Sequence, residues 1–160
     1  MAHNHVYRYI LKTLAVIFLL AILSACTNDP GTGPAEVEWE HDGCHRCSMI
    51  LSDQLHAAQI RHSPAGKPSK AYMFDDIGCA VIWLEDKPWK DDPTTEIWVS
   101  NHKTNTWIDA RNAHYITGHQ TPMLYGLGAQ PEPEPGSIDF SSAQKHIFAV
   151  EEKLKLHGAR

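Results

Sequence analysis

Between Leu14 and Leu23 the chain is an almost unbroken apolar run, preceded by Arg8 and Lys12 and followed at once by Ser24-Ala25-Cys26. Such a run is too short to cross a bilayer comfortably, and a basic start, an apolar stretch and small residues are the build of an export signal. This feature constrains the fold most, because it takes residues 1–25 out of the folded part and places the rest in an oxidising compartment. Residues 27–43, Pro- and Gly-rich and then acidic, read as a flexible tether. The remainder, 44–160, has the size of one small domain of about 115 residues.

The closing Leu23-Ser24-Ala25-Cys26 resembles the bacterial lipobox. By that resemblance the chain is cleaved before Cys26, and Cys26 carries the lipid. Thr27, in place of Asp after the cysteine, favours the outer membrane. The expectation is a lipoprotein facing the periplasm and held to a membrane through Cys26. Losing Arg8 and Lys12 leaves 12 Lys+Arg against 19 Asp+Glu, a net charge of −7. That balance argues against nucleic acid and anionic lipid surfaces as partners.

With Cys26 lipidated, Cys44, Cys47 and Cys79 remain, an odd number where thiols tend to pair. Either Cys44 and Cys47 form a reversible disulfide while Cys79 is buried, or a metal holds at least one thiol reduced. Cys79 follows Phe74-Asp75-Asp76-Ile77-Gly78, where Asp75 reads as the N-cap of a helix running to about Glu85. There it would pack as a small apolar residue, although a helix N-terminus would also acidify its thiol. Cys47-Ser48-Met49 sets a thiol and a thioether two residues apart, on one face if the segment is an extended strand. Such soft donors select Cu(I) over harder divalent ions.

The residue pattern reads as strand-rich with two helices. Strands are expected at 47–51, 56–62, 70–74, 96–100, 106–109 and 113–117, with helices at 77–85 and 141–156. Lys87 to Thr95 reads as a connector and Gln130 to Gly136 as a solvated loop. Phe74-Asp75-Asp76 and Phe140-Ser141-Ser142 each open a helix after strand material, which suggests two copies of a strand–strand–helix(–strand) unit.

Five segments in order carry a family resemblance: Cys44 to Asp53, Ala57 to Ile60, Met73 to Cys79, Trp107 to Ile116 and Thr121-Pro122-Met123. Together they resemble the NosL family, copper-binding lipoproteins that accompany nitrous oxide reductase. The resemblance covers nearly the whole of 44–160. It implies an α+β fold of two related small ββαβ units, similar to a domain of organomercurial lyase, with antiparallel strands and one helix each. In this chain they would occupy about 44–90 and 95–160. It also implies Cu(I) as the bound metal, with nitrous oxide reductase or another cuproenzyme as acceptor. The family's Cys-x-Met falls on Cys47 and Met49, and its later Thr-Pro-Met methionine falls on Met123. These three are the expected metal ligands, with Cys44 and His119 as further candidates, His119 being the histidine nearest Met123.

Cys44 opens two alternatives. Cys44-His45-Arg46-Cys47 carries two basic residues between its thiols, as a thiol–disulfide redox module would, and Thr121-Pro122 resembles the Thr–cis-Pro of thioredoxin-like folds. Redox Cys-x2-Cys pairs, however, normally begin a helix, whereas Ser48 to Asp53 is β-like. A structural zinc site from Cys44, Cys47, Cys79 and a histidine has suitable ligand types but incomplete spacing. Haem attachment is excluded, since position 48 is serine. The other histidines are scattered without ligand spacing, and no Ser–His–Asp order, phosphate loop or carboxylate pair stands out. The expected protein is a carrier and not an enzyme.

Overall fold

In the computed structural model, which describes residues 29–157, strand β1 (Ala58–His62) is flanked by β2 (Lys70–Phe74) and β3 (Glu96–Ser100). The expected signal 1–25 and Cys26 lie outside the described residues. A fourth strand, β4 (Trp107–Asp109), pairs with β3, giving an antiparallel sheet of order β2-β1-β3-β4. All five residues of β1 are buried. Ala58 and Ile60 join the apolar core, while Gln59 and Arg61 alternate to the other face.

Buried polar side chains need partners, and those of β1 find them in the segment expected to be a free tether. Gln59 accepts from the Ala35 amide at 2.8 Å and donates to the Ala35 carbonyl at 2.9 Å. Arg61 donates to the Gly33 carbonyl at 2.8 Å, and Glu96 accepts from Thr32 and from the Gly33 amide. From Thr32 onward the segment is therefore pinned across the sheet, where a free tether was expected, by the hydrogen bonds that Gln59, Arg61 and Glu96 make to it.

Helix α1 (Ile77–Glu85) packs on β1 and β2 and buries Ile77 to Val81 and Leu84. Its N-cap is Asp76, whose carboxylate accepts from the Gly78 amide, and not Asp75 as the sequence suggested. Either residue of Asp-Asp has the chemistry to cap; the chain leaves β2 so that the second one does. A cap of this kind is worth about 1 kcal/mol.

Strands β5 (His114–Thr117) and β6 (Leu127–Gln130) form a second, two-stranded antiparallel sheet. Tyr115 also exchanges two backbone hydrogen bonds with Ile138 at 2.8 and 2.9 Å. Helix α2 (Phe140–Leu156), capped by Asp139, buries Ala143, Ile147 and Glu151 along one stripe and packs on α1 and β5. Among the described residues the fold is thus α+β with antiparallel strands and two helices. The first part follows the expected ββαβ order, β1-β2-α1-β3. The second runs β5-β6-α2, and among the described residues no strand follows α2. Sheet pairing crosses the division expected near residue 95, since β3 and β4 both belong with β1. No described helix is long and apolar enough to cross a membrane.

The expected strand at 47–51 is absent. Cys44 donates its amide to the Met49 carbonyl at 2.8 Å, Ser48 donates to the Cys44 carbonyl at 2.9 Å, and Ser48 sits at φ 64°, in the left-handed region. After the turn the β-forming Met-Ile-Leu side chains yield only an isolated antiparallel bridge, Gly43 with Ile50, so the shared-strand-face argument for Cys47 and Met49 does not apply.

Candidate metal centre

The turn that replaces the strand is tied to the end of β2. His45 donates its amide to the Met73 carbonyl at 2.9 Å, and the Met73 amide donates back to His45 Nδ1 at 3.1 Å. This docking brings Cys44 and Cys47 to the point where the chain leaves β2 through Asp75 and enters α1, which carries Cys79 in its first turn. One donor atom from each of Cys44, Cys47, Asp75 and Cys79 lies within 4.8 Å of all the others. Cys44, Asp75 and Cys79 are 3, 2 and 0 % exposed; Cys47 is half-buried. All three thiols are free.

Within the cluster the thiols are not equivalent. A hydrogen bond from the Cys79 thiol, outweighing burial, pulls Cys44 down to about 6. The same bond, with burial, pushes the Cys79 thiol far above its ordinary range. Burial pushes Cys47 up to about 12, and its thiol donates to Asp75 Oδ2 at 3.2 Å. Around neutral pH the cluster therefore holds one thiolate, on Cys44, and two protonated thiols. The other oxygen of Asp75, Oδ1, is buried with no hydrogen-bond partner among the described residues.

A buried carboxylate oxygen without a partner is costly unless something completes it. Four metal donors around a tetrahedral ion with about 2.3 Å bonds stand about 3.8 Å apart, so a cluster no wider than 4.8 Å needs only a slight contraction to close on one ion. Three thiols and a carboxylate thus fit a metal, with sulfur the dominant donor. Cation binding would also balance charge: Arg46 Nη1 stands 3.8 Å from Cys79 Sγ, the one guanidinium contact to the cluster among the described hydrogen bonds.

The ligands expected from the sequence distribute unevenly about this centre. Cys47 and Cys44 are in it. Cys79, read as a small packing residue, and Asp75, read as a cap, are in it too; their four-residue spacing across the start of a helix was the available signal. Met49 is 48 % exposed at the end of the closed turn. Met123 packs partly on the core, and its amide donates to Asp76 Oδ2 at 3.4 Å, which anchors the Thr121–Met123 segment one residue from Asp75. Asp76 also accepts from Thr121 Oγ1 at 2.6 Å. Burial raises the Asp76 carboxyl despite these bonds. His119 is engaged elsewhere, 3.3 Å from His56 and edge-on to His102. Burial, then the neighbouring His102 and His56, lower its pKa.

Two features weigh on the redox alternative. No cis peptide bond occurs among the described residues, so Thr121-Pro122 does not form the Thr–cis-Pro of thioredoxin-like folds. The Cys44–Cys47 pair sits in a turn and not at a helix start; the cysteine at a helix start is Cys79.

No protein-family model matches the sequence, nor does any curated protein sequence. Among solved structures, the fold is similar to the crystal structure of the copper chaperone NosL from Shewanella denitrificans, with a TM-score of 0.50 and 16% sequence identity over 74% of this chain and 88% of that one. At that identity the likeness is one of fold.

Proposed function

We propose that this chain is an exported lipoprotein, anchored through Cys26 to a membrane facing the periplasm, that binds Cu(I) and hands it to a cuproenzyme such as nitrous oxide reductase. The observation that carries the reading is the convergence of Cys44, Cys47 and Cys79 with Asp75 within 4.8 Å. Three sulfurs make a soft donor set, and soft donors favour Cu(I). Cys47, Met49 and Met123 remain the ligand set drawn from the family resemblance, and the backbones of both methionines are fixed on the site or beside it. The likeness in fold to a copper chaperone supports the same reading.

Anaerobic titration with Cu(I) against a competing chelator tests it. One tight Cu(I) per chain is expected, lost in Cys47→Ala and weakened in Met49→Ala and Met123→Ala. Weak copper binding, together with ready exchange of a Cys44–Cys47 disulfide with a thiol substrate, would sink the carrier reading.

The partnerless Asp75 Oδ1 favours one rival, a structural zinc site, because a carboxylate is a harder donor than copper(I) prefers. Asp75→Asn separates the two. It leaves Cu(I) affinity within a few-fold if the sulfurs dominate and lowers Zn2+ affinity at least tenfold if the carboxylate is a ligand.

A further inference from the structure

Three histidines outside the cysteine cluster converge from separate parts of the chain: His56 before β1, His102 after β3, and His119 between β5 and β6. His56 Nε2 and His119 Nδ1 are 3.3 Å apart. The His102 ring stands edge-on to His119, with centroids 4.5 Å apart at 78°. Two imidazole nitrogens bound at 2.0–2.1 Å to one tetrahedral ion lie about 3.3 Å apart. The His56–His119 pair is already at ligand spacing.

Two of the rings are also held from behind in the way metal-bound imidazoles are. Asp53 Oδ2 lies 2.8 Å from His56 Nδ1. A carboxylate there fixes the proton on Nδ1 and turns the Nε2 lone pair toward His119. Gln130 Oε1 lies 3.2 Å from His102 Nε2, which leaves Nδ1 of that ring free of a proton. The His119 ring lies against Gly128, where an added Cβ would come within 2.5 Å of Cε1 and 2.6 Å of Nε2. Only glycine at 128 lets the ring take this position.

We propose that His56, His119 and His102 form a second cation site, for a borderline divalent ion of the zinc type, backed by Asp53 and Gln130. Imidazole nitrogens suit Zn2+, Cu2+ and Ni2+ and are poor partners for harder ions. Without an ion, His119 Nδ1–H donates to His56 Nε2; on binding, that proton is exchanged through solvent to His119 Nε2, which frees Nδ1 as a ligand, and His102 rotates Nδ1 inward to complete three nitrogens. The site shares no ligand with the cysteine cluster, so it stands or falls separately from the copper reading.

Zinc titration of the 15N-labelled full chain, followed through the imidazole nitrogen signals, tests it. Zinc beyond the amount the thiols take up is expected to shift the signals of three histidines together. That uptake should vanish in His56→Gln and His119→Gln, whose circular dichroism should match the parent, and weaken about tenfold in Asp53→Asn. Imidazole signals that stay in place at millimolar Zn2+ overturn the proposal, as does His119→Gln retaining the imidazole-linked zinc. Should the variants not fold, the signals of the parent chain decide alone.

Discussion

Arg46 Nη2 lies 2.7 Å from Glu151 Oε1, joining the site's turn to the last helix across 105 positions of sequence. Glu151 is 4 % exposed, and its second oxygen accepts from the Tyr125 hydroxyl at 2.6 Å. Through Arg46 Nη1, 3.8 Å from Cys79 Sγ, this bonded chain ends at the thiol cluster. The helix stripe Ala143, Ile147, Glu151 thus buries a carboxylate where a third apolar residue would ordinarily sit, and that carboxylate is answered by a guanidinium belonging to the site.

Removing one partner of a buried ion pair strands the other. Glu151→Ala is expected to cost about 3 kcal/mol, the lower end for buried pairs because Arg46 is partly exposed. Glu151→Gln, which still accepts from Tyr125, should cost less. Urea denaturation midpoints with unchanged m-values measure both. A loss below about 0.5 kcal/mol in the alanine variant contradicts the pairing described here.

Gly78 inverts a common rule. Glycine to alanine inside a helix ordinarily stabilises by roughly 1 kcal/mol. Here a Cβ at 78 would stand 2.1 Å from Cγ and Cδ2 of the Tyr125 ring. Gly78→Ala should therefore destabilise by about 2–3 kcal/mol through overpacking, and the same change made in a Tyr125→Ala background should cost less than it does in the parent. Thermal unfolding of the single and double variants checks the sign.

In the metal-free protein the contribution of the thiols to stability should peak near the ordinary thiol pKa. Cys44 is lowered to about 6 from 9.0, so its contribution is fully present above pH 9 and is lost as pH falls toward 6. Cys47 is raised to about 12 from 9.0, so its contribution is fully present below pH 9 and is lost as pH rises toward 12. Subtracting the unfolding profile of Cys44→Ser from that of the parent isolates the acid limb. If the difference stays flat between pH 6 and 9, the Cys44–Cys79 hydrogen bond does not form in solution.

Proton release on loading reports which ligands the copper takes. At pH 7.5 Cys44 is already a thiolate, while Cys47 and Cys79 keep their protons. Binding through all three sulfurs should release about two protons; binding through Cys47, Met49 and Met123 should release about one. Titration calorimetry in buffers of different ionisation enthalpy gives the number directly.

The sequence was most legible where local chemistry decides structure. Lys70–Phe74 and Glu96–Ser100 are strands as read, and helices α1 and α2 lie where their apolar spacing placed them. Strand β6, Leu127–Gln130, escaped because Gly128 and Ala129 have poor strand propensity and owe their extended form to pairing with β5. Met49-Ile50-Leu51 misled in the opposite sense, since the tight turn at Cys44–Ser48 limits its pairing to one antiparallel bridge, Gly43 with Ile50. Cys47 and Cys44 were visible as chemistry. That Asp75 and Cys79 join them depends on the His45–Met73 pairing, 28 residues apart, which no local pattern encodes. The same holds for Gln59 and Arg61, whose partners in Gly33 and Ala35 turned an expected tether into part of the sheet's cover.

The uneven burial of the three thiols has a consequence for traffic through the site. Cys44 and Cys79 are sealed in the interior, and only Cys47 meets solvent. An incoming sulfur or nitrogen from another protein can approach only past Cys47, so exchange would run through a mixed complex in which Cys47 is the first ligand to let go. The two interior sulfurs then act as a latch released last, and a vacated metal site closes behind the departing ion by restoring the Cys79–Cys44 and Cys47–Asp75 hydrogen bonds.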